Sequence, residues 1–203
     1  MKIKNIIFDF GGVVMDWDPR YFFKDHFKDD EKMEHFLKNI VTDEWNAEQD
    51  RGRTLAEGTE IQVAKHPEWE KEIRAYYDNW TTMLKSDIPH NVAVLRKLEH
   101  SKHDLFGLTN WSAETFPYAF ENYDFFKIFN DKIVVSGTEK LIKPDPTIWQ
   151  VLLDRYKIKA EESVFIDDNA KNIEVAKSLG FICVHIKQHT DLDKELRQLG
   201  VSF

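Results

Sequence analysis

Short apolar runs of strand length alternate along this chain with longer stretches whose apolar residues recur at helical spacing. Residues 3–8 form a compact, β-rich run that stops at Asp9 and meets the glycine pair Gly11-Gly12, the pattern of a buried strand entering a tight loop. After Pro89 the same rhythm predicts a helix over 92–98 and strands over 104–109 and 133–136. A helix over 147–156, a strand over 163–166, a helix over 170–179 and a last strand over 181–186 follow. Strands alternating with helices predict an α/β fold with a parallel sheet covered on both faces.

Between these parts, from about residue 16 to 85, the pattern changes. Charged and aromatic residues dominate, and Phe22, Phe23 and Phe27, then Phe36, Leu37 and Ile40, recur at helical spacing. Asp18-Pro19 reads as a helix start, with Asp18 as N-cap and Pro19 as first helical residue. Stretches 54–65 and 68–84 also read as helices, punctuated by Gly52 and Pro67. The expectation is an all-helical insert over residues 16–87, dividing a core made of residues 1–15 and 88–203.

A length of 203 residues suits such a core with a smaller inserted unit. The single cysteine, Cys183, excludes an internal disulfide framework and a multi-cysteine zinc site, and its apolar surroundings read as core. It also fits a reducing cytoplasm. A formal charge of −8, with no basic run interleaved with aromatics, argues against nucleic-acid binding. No apolar stretch approaches the roughly 20 residues of a membrane helix, and the opening residues read as a strand rather than a leader. The eight histidines show no pair at metal-ligand spacing, and most of the fifteen Phe and six Trp read as core. Monomer and dimer both remain open.

In an open α/β sheet, ligands sit beyond the carboxyl ends of the strands. The residues expected there are Asp9, Thr109-Asn110, Lys143 and Asp167-Asp168. A carboxylate cluster with one lysine suits a divalent cation and a phosphate, because magnesium takes hard oxygen ligands and lysine meets phosphate as a point charge. The Thr109 hydroxyl is a donor for a phosphoryl oxygen, and backbone N–H groups over Phe10–Gly12 are candidates for an anion nest.

Four segments carry a resemblance. IIFDFGGVV, GLTN, IKPDP and VFIDDNAKNIEVAKSLG resemble, in order and spacing, the four motifs of the haloacid dehalogenase superfamily. The resemblance covers essentially the whole chain. It implies a Rossmann-like core with a helical cap inserted after the first strand, and a magnesium-dependent phosphatase acting on a small phosphorylated metabolite. Asp9 would be the nucleophile that forms an aspartyl-phosphate, with Thr109 and Lys143 holding the phosphoryl oxygens. Magnesium would be held by Asp9, the Gly11 carbonyl and Asp168, with Asp167 either a further ligand or one step removed. Phe10, Gly11, Thr109, Asn110 and Lys143 would line the phosphate side. Trp45 and Asn46, in the segment WNAEQDRG, are candidates on the cap side, although that segment also reads as a solvated helix end.

One position departs from the family's phosphatase pattern. Two residues after the nucleophile, where those phosphatases carry a general acid–base aspartate, stands Gly11. Bacterial α-glucose-1-phosphate phosphatases of the superfamily are similar in this respect. An anomeric leaving group is more acidic than an ordinary alcohol, so sugar 1-phosphates such as glucose 1-phosphate are the expected substrate. The alternatives are carbon–halogen hydrolysis, whose family members need no metal and lack the acidic pair, and a catalytically weak binding protein.

Overall fold

The structure is a computed structural model and describes residues 2–203. Strand β1 (Asn5–Phe8) leads through a tight turn to β2 (Met15–Trp17). Helices α1 (Arg20–Phe27), α2 (Asp30–Asn39), α3 (Asp43–Asp50), α4 (Leu55–Lys65), α5 (Glu70–Asp78) and α6 (Trp80–Met83) follow, and β3 (Leu84–Asp87) returns antiparallel along β2. The rest of the chain runs α7 (Pro89–Glu99), β4 (Asp104–Thr109), α8 (Phe116–Asn122), β5 (Ile133–Val135) and α9 (Ser136–Glu139). It ends with α10 (Thr147–Tyr156), β6 (Ser163–Asp167), α11 (Ala170–Ser178), β7 (Ile182–His185) and α12 (Leu192–Gln198).

The main sheet is parallel throughout, in the order β5-β4-β1-β6-β7. All four residues of central β1 are buried, with Ile6, Ile7 and Phe8 the apolar run and Asn5 Nδ2 donating to Ser163 Oγ at 3.0 Å. Its side chains still alternate between faces. Ile6 and Phe8 join Val92, Leu95 and Leu98 of α7 and Leu192 and Leu196 of α12 on one side. Ile7 joins Ile148, Trp149 and Leu152 of α10 and Ile173 and Ala176 of α11 on the other.

The helices between β2 and β3 bury a separate apolar cluster, including Phe23, Phe36, Trp45, Ile73 and Tyr76. The expectation of an all-helical insert needs correction at its edges, where the β2–β3 ribbon frames it. These strands are three and four residues long and contain Asp16, Lys85, Ser86 and Asp87, so they carry no apolar period. The stretch 68–84 is also not one helix. A 3-10 turn over Pro67–Trp69 precedes α5, and the chain breaks at Asn79 before α6. Asp18 does close the first turn of α1, since its Oδ1 accepts the Arg20 N–H at 2.8 Å, although the helix begins at Arg20.

The aromatic segment after β4 is core. Phe125, Phe126 and Phe129 are buried, with Phe10 packed against Phe126 and Phe129 at 4.9 and 5.2 Å. Gly107 makes room for this, because a Cβ there would lie 2.3 Å from the Phe10 ring. Among the described residues, no helix is long and apolar enough to cross a membrane.

Candidate active site

The register of the central strands brings the chemistry together. Phe8 lies level with Gly107 on β4 and Ile166 on β6, so one step further Asp9 stands beside Leu108 and Asp167. Lys143 enters from the loop before α10 and is 3% exposed. Its Nζ lies 2.9 Å from Asp9 Oδ1, 2.7 Å from Asp167 Oδ2 and 2.9 Å from the Leu108 carbonyl, which engages all three ammonium protons. Burial alone would lower the Lys143 pKa, but Asp167 and Asp9 overcome it and hold the pKa raised.

Asp9 has the opposite problem. Burial pushes its carboxyl up to about 7; Lys143 resists, while Asp167 and Asp168 push it further. Asp168 is raised as well, by desolvation and then by Asp167. Carboxylate oxygens of Asp9, Asp167 and Asp168 all lie within 4.8 Å of one another. One buried ammonium for three crowded carboxylates leaves excess negative charge, and a hard divalent cation fits that deficit and donor set. Asp167 is the most engaged of the three. It accepts from Lys143, from the Asn169 amide at 2.8 Å and from Asn172 Nδ2 at 3.0 and 3.1 Å. Asn172 therefore orients Asp167.

The loop after Asp9 is a tight turn. The Phe10 carbonyl accepts from the amides of Val13, Val14 and Met15. The expected anion nest needs correction: the Phe10 N–H donates to Asp9 Oδ1 at 2.7 Å and the Gly12 N–H to the Met15 carbonyl at 2.9 Å, which leaves the Gly11 amide for a ligand. Phe10 is fully buried, with its ring in the core. Gly12 has φ +69°, and a Cβ there would stand 2.2 Å from Asp168 Oδ2. Gly12→Ala is thus expected to displace Asp168 and weaken magnesium binding about 10–100-fold, read by titration calorimetry. Wild-type affinity in that variant would remove Asp168 from the metal site.

Thr109 ends β4 at 1% exposure, and its hydroxyl has no hydrogen-bond partner among the described residues. A buried orphan hydroxyl is costly unless a ligand completes it. Asn110 holds Lys143 in place: its Oδ1 accepts the Lys143 N–H at 2.8 Å and its Nδ2 donates to the Lys143 carbonyl at 2.9 Å. Its expected contact with substrate is secondary to that clamp, although Asn110 also lines a cavity.

That cavity, about 130 Å³, opens beside the loop after Asp9, at Gly11 and Asn110. Aromatic walls come from Trp17, Tyr77, Trp80 and Trp111, and polar groups from Asn46, Asp50, Ser112 and Thr115. Of the two cap residues expected to face substrate, Asn46 does line the cavity and Trp45 does not. Trp45 is a core residue, with its indole N–H on the Gly58 carbonyl at 2.9 Å and its ring against Tyr76 and Tyr77. Gln49 Nε2 donates to the Tyr77 hydroxyl, Arg53 donates to Gln49 Oε1 and the Trp45 carbonyl, and Arg51 is exposed beside Glu48. Sequence reasoning misses Asp50, Trp17, Tyr77, Trp80 and Trp111. Asp50 is the one within its reach, being a full helical turn beyond Asn46 on the same face.

A lysine shared by two carboxylates, a third carboxylate beside them and an unpaired hydroxyl suit a metal-assisted α/β hydrolase working at the carboxyl edge of its sheet. The chain belongs to the haloacid dehalogenase-like hydrolase family, which it matches over residues 6–186. It is similar to the sesquiterpene phosphatase astK of Aspergillus oryzae, 27% identical over 197 residues that cover 97% of this chain and 96% of that one. It is also similar to the D-ribitol-5-phosphate phosphatase of Bacteroides thetaiotaomicron, 26% identical over 96% of this chain and 97% of that one. A haloacid dehalogenase family enzyme from Bacteroides thetaiotaomicron, solved with magnesium and inorganic phosphate, superposes with a TM-score of 0.72 at 25% identity. That match covers 96% of this chain and 100% of the other.

Proposed function

We propose that this protein is a magnesium-dependent phosphatase that hydrolyses a small phosphorylated metabolite through an aspartyl-phosphate at Asp9. The observation that carries the reading is the buried Thr109 hydroxyl, without a partner among the described residues, at the strand end beside the Asp9–Lys143 pair. Asp9 attacks phosphorus, the bond to the leaving oxygen breaks, and water then cleaves the acyl-phosphate, which divides one hard displacement into two. Thr109, Lys143 and the Gly11 amide bind the phosphoryl oxygens. Asp9, Asp168 and the Gly11 carbonyl are the groups to hold magnesium, with Asp167 positioning Lys143. Bound there, the cation supplies positive charge against the phosphoryl oxygens.

Residues 16–87 act as the cap that covers the site, and residues 1–15 with 88–203 as the catalytic unit. A cavity with aromatic walls and polar groups suits a polyol or sugar phosphate, which stacks on rings and offers hydroxyls. The Trp17 indole N–H, without a partner among the described residues, is a further donor beside it. Glucose 1-phosphate is the specific substrate favoured by Gly11. The relatives' own substrates, a ribitol phosphate and a sesquiterpene phosphate by their names, are the natural comparisons. A panel of sugar, polyol, prenyl and nucleoside phosphates, run with and without magnesium beside a halide-release assay, tests the reading. Magnesium-dependent release of phosphate, highest on sugar or polyol phosphates, is expected. Release of halide without metal would favour carbon–halogen hydrolysis instead.

A further inference from the structure

Breaking an ordinary phosphate ester leaves an alkoxide that needs a proton, and the groups around Asp9 are poorly placed to give one. Lys143 has its three protons on Asp9, Asp167 and the Leu108 carbonyl. Asp167 is buried in its own hydrogen bonds, Asp168 belongs to the acidic trio, and Gly11 has no side chain. Among the residues lining the cavity, the titratable ones are Asp50 and Tyr77. The Tyr77 hydroxyl already donates to Asn46 Oδ1 at 2.9 Å and accepts from Gln49 Nε2 at 2.8 Å, and burial pushes its pKa well up.

Asp50 is fastened in place. It is the last residue of α3, and its carbonyl accepts from Ser136 Oγ at 2.5 Å. Ser136 Oγ in turn accepts the Trp111 N–H at 2.8 Å, so the end of the cap helix is tied to the residues directly after Thr109-Asn110. Its carboxyl meets Asn46 Nδ2 at 3.4 Å and the backbone N–H of Ser112, and it forms no ion pair among the described residues.

We propose that Asp50 is the proton donor to the leaving oxygen, delivered from the cap to the cavity that begins at Gly11. This rests on the phosphatase reading above. As Asp9 bonds to phosphorus and the phosphorus–oxygen ester bond breaks, the Asp50 carboxyl gives its proton to the departing oxygen. The Asp50 carboxylate then takes a proton from the water that cleaves the aspartyl-phosphate, and both aspartates return to their starting states. Burial supports this role: it pushes the Asp50 carboxyl up to about 7, opposed by the Ser112 amide, so a large share is protonated at neutral pH. The other titratable groups nearby are the phenols of Tyr76 and Tyr77, with Arg53 and Glu114 beside Tyr77.

The test compares an alkyl phosphate, whose leaving group needs the proton, with an aryl phosphate, whose leaving group does not. In the wild-type protein with saturating magnesium, alkyl phosphate hydrolysis should fall as pH rises through about 7, while aryl phosphate hydrolysis should lack that limb. Asp50→Asn keeps the side-chain shape and should lower kcat/KM for the alkyl phosphate, which reads ester cleavage, about 10²–10⁴-fold with little effect on kcat/KM for the aryl phosphate, abolish the limb, and slow cleavage of the aspartyl-phosphate that both substrates share. Adding Gly11→Asp to Asp50→Asn should restore part of the alkyl rate. Position 11 admits a side chain, since its φ is not positive and no atom lies within 4 Å of the place a Cβ would take. Equal losses of kcat/KM on both substrates, or the same alkaline limb for both in the wild-type protein, would overturn Asp50 as donor and leave the phosphatase reading standing. A wild-type protein that hydrolyses neither ester would overturn both.

Discussion

Asp9→Asn is expected to lower phosphate ester turnover by on the order of 10⁴-fold or more while leaving the protein folded. The amide matches the carboxylate in shape but cannot attack phosphorus. The same substitution should raise stability above neutral pH in metal-free buffer. Asp9 has a folded-state pKa raised from 3.8 to about 7, so the stability linked to its protonated form is present in acid and lost as pH rises through about 7. Asparagine has no such loss, and Lys143 keeps Asp167 as its partner. The gain in melting temperature of the variant over wild type should therefore grow between about pH 4 and pH 8 and shrink when magnesium is added. A gain that is flat across that range would mean that Asp9 is not the strained carboxylate.

Lys143→Met is expected to cost stability as well as activity. It removes the one buried ammonium from between two buried carboxylates, and breaking a buried pair in this way typically costs about 3–5 kcal/mol. For a chain of this length that corresponds to a fall in melting temperature of roughly 10 °C. Magnesium should recover part of it, because a cation at the acidic trio offsets the same charge. Calorimetric melting with magnesium or with chelator reads both effects. A variant as stable as wild type in chelator would show that the carboxylates do not depend on Lys143.

Much of the core was legible because its strands are buried on both faces and stop at residues with chemistry. Asp9, Thr109 and Asp167 each sit at or one step beyond the end of a strand whose apolar run is plain in the sequence. Lys143 was legible as the lysine in the loop after the third strand, but nothing in the pattern shows that its ammonium turns back 35 residues to the Leu108 carbonyl. The cap side was harder for a physical reason. Its cavity is assembled from β2, α3, α5, α6 and the segment after β4, so no single window of sequence contains it. On α3, Trp45 and Asn46 are neighbours in sequence, yet one packs inward against Tyr76 and the other lines the cavity. The face of a helix that turns toward the core domain is set by packing between units: Asp50 shares a face with Asn46, but the tie of its carbonyl to Ser136 joins positions 86 residues apart. The β2–β3 ribbon left no signal because its strands are too short and too polar to alternate.

The covalent role of Asp9 is tested most directly by acid quenching the protein during turnover of an aryl phosphate in magnesium and mapping any phosphorylated peptide by mass spectrometry. The expected result is one phosphoryl group on the peptide containing Asp9, absent from Asp9→Asn. Phosphate release at the wild-type rate from Asp9→Asn, or a phosphoryl group mapped to another residue, would contradict the account.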